Sequence, residues 1–132
     1  MGLDAALLRS TFTLVAERNP NLTGRFYDVL FARYPQVTPL FGRADMKRQQ
    51  QMLASALGAV LDHLEDAPWL TATLKALGAK HKDYGVTLEM YDWVGDALLA
   101  TLAEAAGPEW SPAAKEAWTA AYGTIVSLML AE

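Results

Sequence analysis

No cysteine occurs anywhere in this chain. Disulfide frameworks, iron–sulfur clusters, thiolate zinc sites and cysteine nucleophiles are excluded together, and the absence fits a reducing compartment. Histidine is almost as scarce, with only His63 and His81. No basic stripe stands out, and the formal net charge is -4. Nucleic acid and anionic membrane surfaces are therefore not expected as partners. No uninterrupted apolar run approaches the length of a membrane span, and the first residues lack a basic region leading into a long apolar one. The expectation is a soluble, cytoplasmic protein. Nothing reads as a strand followed by a hairpin turn, and no repeat or low-complexity segment is present.

What is present is apolar and helical. Apolar residues make up 52% of the 132 positions against 20% charged, the balance of a globular chain. The length suits one domain, residues 1–132, with one substantial core. Helix patterns run from end to end, broken by proline, glycine or asparagine. The first spans Asp4 to Arg18. Asn19-Pro20 stops it and opens a second, which runs to Arg33 with Tyr27 among its apolar residues. A segment from Gln36 to Phe41 carries Pro39 inside it, so only a helical turn or two can form. A third helix begins near Ala44 or Asp45, and Leu53, Ala56, Leu57, Val60, Leu61 and Leu64 mark its inner face. Gln49 lies one turn before Leu53 on that face. Asp66 or a neighbour caps the fourth helix, Thr87 the fifth, and Ser111-Pro112 the last. The result is an all-α fold of six principal helices and one short one.

On the fourth helix Leu70, Leu74 and Leu77 recur at helical spacing, and the spacing carries on to His81. Gly85, just beyond, can end the helix in a left-handed turn. The sequence thus aims one imidazole inward at a helix end. Such a side chain either finds a hydrogen-bond partner in the core or binds something. His63, at the outer half of the third helix's end, reads as a surface residue, and the four tryptophans read as packing.

Five motifs change the odds for His81. They are Phe26-Tyr27-x-x-Leu30-Phe31 with Tyr34-Pro35, then Pro39-Leu40-Phe41, then Lys80-His81-Lys82-x-Tyr84-Gly85-Val86. Tyr91-x-x-Val94-Gly95-x-x-Leu98-Leu99 and Ala117-Trp118-x-x-Ala121-Tyr122-Gly123 follow. In this order and spacing the chain resembles the single-domain bacterial haemoglobins and the globin domain of flavohaemoglobins, over nearly its whole length. The resemblance implies a globin fold with haem b in a crevice between helices and His81 as the one protein ligand of the iron. The opposite axial position is then open to dioxygen or another diatomic gas. His81 must be neutral to ligate, and its other ring nitrogen needs an acceptor.

The resemblance also assigns the surroundings. Phe41 packs on the haem face, and Leu53, Leu77, Val86, Tyr91 and Val94 line it. Lys80 matches a basic residue that can reach a propionate. Tyr27 and Gln49 match the distal pair that stabilises bound dioxygen, with Leu53 packing over the ligand. The other reading of Tyr27 is a core tyrosine bonded to a backbone carbonyl; that of Gln49 is a solvated residue, with Gln50 and Gln51 beside it in reach of a one-residue slip. Tyr91 matches a tyrosine partnered by a glutamate on the last helix. Here the sequence departs from the pattern: Glu132 falls one position short, about 100° around the helix, so either a shift in the last turn or the terminal carboxylate takes the glutamate's place, or Glu132 is frayed and solvent-exposed.

Three functions are expected in order. The first is reversible oxygen binding for storage, delivery or sensing. The second is nitric oxide dioxygenase activity with electrons from a separate reductase, since no Gly-x-Gly-x-x-Gly follows a strand. The third is a haem-free interaction module, which has no use for His81, Tyr27 and Phe41 together. A monomer or a homodimer is compatible with the sequence.

Overall fold

The computed structural model describes residues 4–42 and 44–131. Six α-helices make up most of it: α1 Ala5–Arg18, α2 Leu22–Arg33, α3 Met46–Asp62, α4 Ala67–Asp83, α5 Leu88–Ala106 and α6 Pro112–Leu130. Two 3-10 segments, Pro35–Phe41 and Gly107–Glu109, lie between them, and there is no strand among the described residues. The all-α expectation is met, with one short turn at Gly107 more than the sequence suggested. Among the described residues no helix is long and apolar enough to cross a membrane.

The helix starts follow from side-chain chemistry. Asp4, Asp45, Asp66 and Ser111 each accept a hydrogen bond from a backbone N–H of the first turn they precede, at 3.0–3.3 Å. Each such cap satisfies a donor the helix cannot, worth about 1 kcal/mol. Pro20 is the exception to the sequence reading: it stands outside α2, which starts at Leu22 after Asn21. The cause is local, since the Asn19 side-chain oxygen accepts from the Asn21 N–H at 3.0 Å and closes a turn around Pro20. The Pro35–Phe41 segment is 3-10 throughout, one residue longer at its start than expected, with Pro39 inside.

Helices α2 and α5 pack on each other, as do α4 and α6, while α1 lies across α5 and α6 and α3 rests on α2. Two crossings, α4 on α6 and α5 on α6, are set by glycine. A Cβ on Gly78 of α4 would stand 1.8 Å from the Met129 carbonyl oxygen of α6, and one on Gly95 of α5 would stand 2.6 Å from the Tyr122 ring. Neither crossing could keep its distance with a larger residue. The α2–α5 pair is also clasped at its surface: Arg33 and the Tyr34 hydroxyl both donate to Asp96, each at 2.9 Å, and the Tyr34 ring stacks on Trp93.

Helices α3 and α4 are consecutive yet do not pack on each other in this way. Their corner is held by His63, which is not the surface residue the sequence suggested. It is half-buried, stacks on Trp69 with ring centroids 3.8 Å apart, and donates from Nδ1 to the Ala59 carbonyl at 2.7 Å. A histidine within a turn of an aromatic residue across a corner is buried by that neighbour, which periodicity on one helix does not reveal.

The interior is divided. A larger cluster gathers Leu8, Val15, Phe26, Tyr27, Leu30, Leu98, Leu102 and Trp118; a smaller one joins Leu70, Leu74, Tyr91 and Met129. Of the stripe that reads as the inner face of α3, only Leu61 is fully buried; Leu53, Ala56, Leu57, Val60 and Leu64 are half-buried.

Candidate functional site

His81 sits in the last turn of α4, and the residues after it explain its fixed place. The Val86 N–H donates back to the His81 carbonyl at 3.0 Å, and the Gly85 N–H donates to the Lys82 carbonyl at 3.0 Å. Gly85 has φ 88°, the left-handed conformation this closure needs. The His81-Lys82-x-Tyr84-Gly85-Val86 motif is thus a helix-termination device with the imidazole carried at its start.

The ring is half-buried, and its Nδ1 lies 2.8 Å from the Leu77 carbonyl oxygen. A carbonyl can only accept, so Nδ1 carries the proton, and in the neutral imidazole Nε2 keeps its lone pair. The Tyr91 ring lies 6.3 Å away, centroid to centroid, inclined by 28°. Tyr91 is buried, which pushes its phenol above the usual range. Its backbone carbonyl accepts from the Tyr122 hydroxyl at 2.5 Å, which ties α6 to the first turn of α5 beside His81.

Tyr27 is buried in an aromatic nest on α2. Phe26, Phe31 and Phe41 surround its ring at centroid distances of 5.0, 5.9 and 5.6 Å. Burial pushes the phenol up from its usual value, so it stays a neutral donor. The tyrosine hydroxyls with protein partners are those of Tyr34 and Tyr122. That of Tyr27 has none among the described residues.

The other sequence candidates fall around these two. Phe41 closes the 3-10 segment, and with Leu53 and Val94 it packs, half-buried, on the larger cluster. Leu77 and Val86 pack, half-buried, on the smaller one beside Tyr91. Gln49 and Gln50 are both half-buried and Gln51 is exposed, so burial distinguishes the first two from the third only. Lys80 is exposed. Glu132 lies outside the described residues.

This arrangement can be tested against a prosthetic group. No group of three or more His, Cys, Asp or Glu side chains stands ready for a metal among the described residues. A single imidazole lone pair suits a metal that brings its other ligands with it, as porphyrin iron does. The divided interior, the half-buried apolar faces of α3 and α4 and an unpartnered phenol fit a flat, largely apolar group between the two clusters. Sequence reasoning missed the Gly78–Met129 approach and the Arg33–Asp96–Tyr34 clasp. Gly78 carried a signal, a glycine inside an otherwise apolar helix; Arg33 and Asp96, exposed and 63 residues apart, carried none.

The comparisons agree with the fold. Residues 24–129 match the family model described as Globin, and the chain belongs to the globin family. A flavohemoprotein of Bacillus thuringiensis subsp. konkukian is 32% identical over 126 residues, 94% of this chain and 31% of that protein. The chain thus spans about a third of the length of that relative. The structure of a bacterial globin from Campylobacter jejuni superposes with TM-score 0.79 at 25% identity, covering 96% of this chain and 91% of that one. An engineered carbene transferase made from a candidate nitric oxide dioxygenase of Rhodothermus marinus gives TM-score 0.81 at 26% identity, with 95% and 87% covered. The chain is a globin related to flavohemoprotein globin domains and to bacterial single-domain globins, and the family implies haem.

Proposed function

We propose that this globin binds haem b through His81 and holds dioxygen reversibly on the opposite side, with Tyr27 as principal hydrogen-bond donor and Gln49 as a second, adjustable one. Bound haem would supply an iron able to take a diatomic gas, with His81 as the residue that would hold it. The single observation that carries this reading is the pairing of an imidazole whose Nδ1–H is already committed to the Leu77 carbonyl with the phenol of the buried Tyr27, whose hydroxyl has no acceptor among the described residues. The first group offers a lone pair; the second offers a proton in a low-dielectric nest, where a hydrogen bond to a ligand bearing partial negative charge is strong. Carbon monoxide gains little charge and benefits less. In this reading Phe41, Leu53, Leu77, Val86, Tyr91 and Val94 supply the apolar lining that excludes water, and the exposed Lys80 meets a propionate.

Nitric oxide dioxygenase activity with a separate reductase is the second reading, favoured by the flavohemoprotein relative. Spectra decide the first question: purified protein given haemin should yield a ferrous spectrum of histidine-ligated haem and a stable oxygenated form. A protein that stays colourless, or a His81→Ala variant with unchanged haem affinity and ferrous spectrum, overturns the proposal. Oxygen-dependent nitric oxide consumption in the presence of a generic reductase would make the second reading the better one.

A further inference from the structure

One aromatic pair is arranged for more than packing. The rings of Tyr34, the residue that ends α2, and Trp93 of α5 are inclined by only 13°, with centroids 5.5 Å apart. Both side chains are half-buried and packed on the larger cluster. Trp93 stands next to Val94, one of the residues placed at the proposed haem site. In a chain without cysteine, tyrosine and tryptophan are the side chains that most readily give up a single electron. Stacked rings with overlapping π-systems can pass that electron between them.

The phenol also has the partner that such a step needs. Losing an electron turns a phenol into a strong acid, so its proton must leave together with the electron. The Tyr34 hydroxyl donates to Asp96 Oδ2 at 2.9 Å, and a carboxylate can take that proton. Arg33 donates to the same oxygen at 2.9 Å and holds the carboxyl ionised, so the proton is taken up and then given back. Tyr122 is the other tyrosine whose hydroxyl has a protein partner among the described residues, and its partner is a backbone carbonyl, which is no base. We propose that Trp93 and Tyr34 form a redox port through which single electrons reach a haem oxidised by hydrogen peroxide. Tyr34 gives its electron by way of Trp93 and its proton to Asp96, and is left as a neutral phenoxyl radical. A small one-electron reductant of the ascorbate type then returns the electron at the solvent side of the ring, and Asp96 returns the proton. Two such rounds supply the two electrons that convert one peroxide into two waters. The two protons peroxide consumes are replaced by those the two reductant molecules release.

The port rests on the haem reading for its oxidant but not for the step between Tyr34 and Asp96, and the two are tested apart. Haem-loaded protein frozen after mixing with hydrogen peroxide should show a phenoxyl radical by electron paramagnetic resonance, narrowed when ring-deuterated tyrosine is incorporated. Tyr34→Phe should abolish that signal and slow peroxide-driven ascorbate oxidation, with the ferrous spectrum and the oxygen release rate unchanged. Trp93→Phe should keep the radical from reaching Tyr34. Asp96→Asn keeps a hydrogen-bond acceptor but offers no base, and should slow radical formation by about 100-fold, as loss of a positioned proton acceptor does. It also serves if Tyr34→Phe does not fold. In the haem-free chain a flash of ruthenium tris-bipyridine with persulfate supplies the oxidant, and the part of the radical missing from Tyr34→Phe should again depend on Asp96. A signal unchanged in Tyr34→Phe, or formed as fast in Asp96→Asn as in the parent, overturns the inference. A chain that takes up no haem but shows the Asp96-dependent radical under the flash overturns the haem reading alone and leaves the Tyr34–Asp96 step in place.

Discussion

The backbone of Gly78 lies so close to Met129 that a methyl group on its α-carbon would stand 1.8 Å from the Met129 carbonyl oxygen. Gly78 comes three residues before His81, so this one approach sets both how tightly α4 lies on α6 and where the imidazole is held. Gly78→Ala cannot be accommodated by a side-chain rotation, because the obstacle is backbone. It should destabilise the fold by about 1–3 kcal/mol, the cost of forced overpacking, and weaken haem retention as α4 is levered outward. Denaturant titration and haem transfer to apomyoglobin measure the two effects.

Gly85 makes a different demand. Nothing lies near the position its Cβ would take, but its φ is 88°. Gly85→Ala should cost about 1–2 kcal/mol through backbone strain alone. Gly85→Asn should cost less, because asparagine tolerates this region. Equal losses in the two variants, read from urea midpoints, would place the cause elsewhere.

Replacing Tyr27 by Phe should separate function from stability. The hydroxyl has no acceptor among the described residues, so its removal should leave the haem-free fold no less stable, or raise stability slightly. A charge-assisted bond to dioxygen worth about 1.5–3 kcal/mol is lost, and oxygen should leave roughly 10- to 100-fold faster. Stopped-flow measurement of oxygen release checks this. An unchanged rate would move the donor role to Gln49 or Gln50.

The same phenol gives a pH test. Burial raises its folded-state pKa above the usual value near 10. The neutral donor is favoured in the fold, so its contribution to stability is complete below pH 10 and falls away as the pH rises through that value, where the unfolded chain releases the proton first. Oxygen release should therefore be flat between pH 6 and about 9. A rate that climbs within this window would show another group to be controlling it.

Asp96 behaves in the opposite sense. The Arg33 guanidinium, and then the Tyr34 hydroxyl, hold its carboxyl below the usual carboxylate range. Its contribution is present above the unfolded value near 3.9 and is lost as pH falls through the folded one. The group is mostly exposed, so the effect is small. Asp96→Asn should flatten a slight loss of stability in acid and leave the neutral-pH oxygen affinity alone, which denaturation at pH 3 and pH 7 would show.

How far the sequence alone reached depended on the range of each interaction. Caps such as Asp66 and Ser111, and the glycine stop after His81, are decided within one turn of chain and were readable. Pro20 misled because the side chain of Asn19 formed a turn that competes with helix initiation. His63 misled because its burial depends on Trp69, which lies across a corner from it. The roles proposed for His81, Tyr27 and Phe41 came from motif order, and the fold adds the acceptor on Leu77, the helix closure at Val86 and the aromatic nest. The Arg33–Asp96 clasp was out of reach, since solvent-facing charges leave no periodic trace.

The two separate hydrophobic clusters carry a consequence for the life of the chain in a cell. If the prosthetic group is what joins them, its supply and the persistence of the folded molecule are linked by mass action. Newly made chain would survive in proportion to available porphyrin, and a shortage would appear as fewer molecules surviving proteolysis, not as a pool of idle ones.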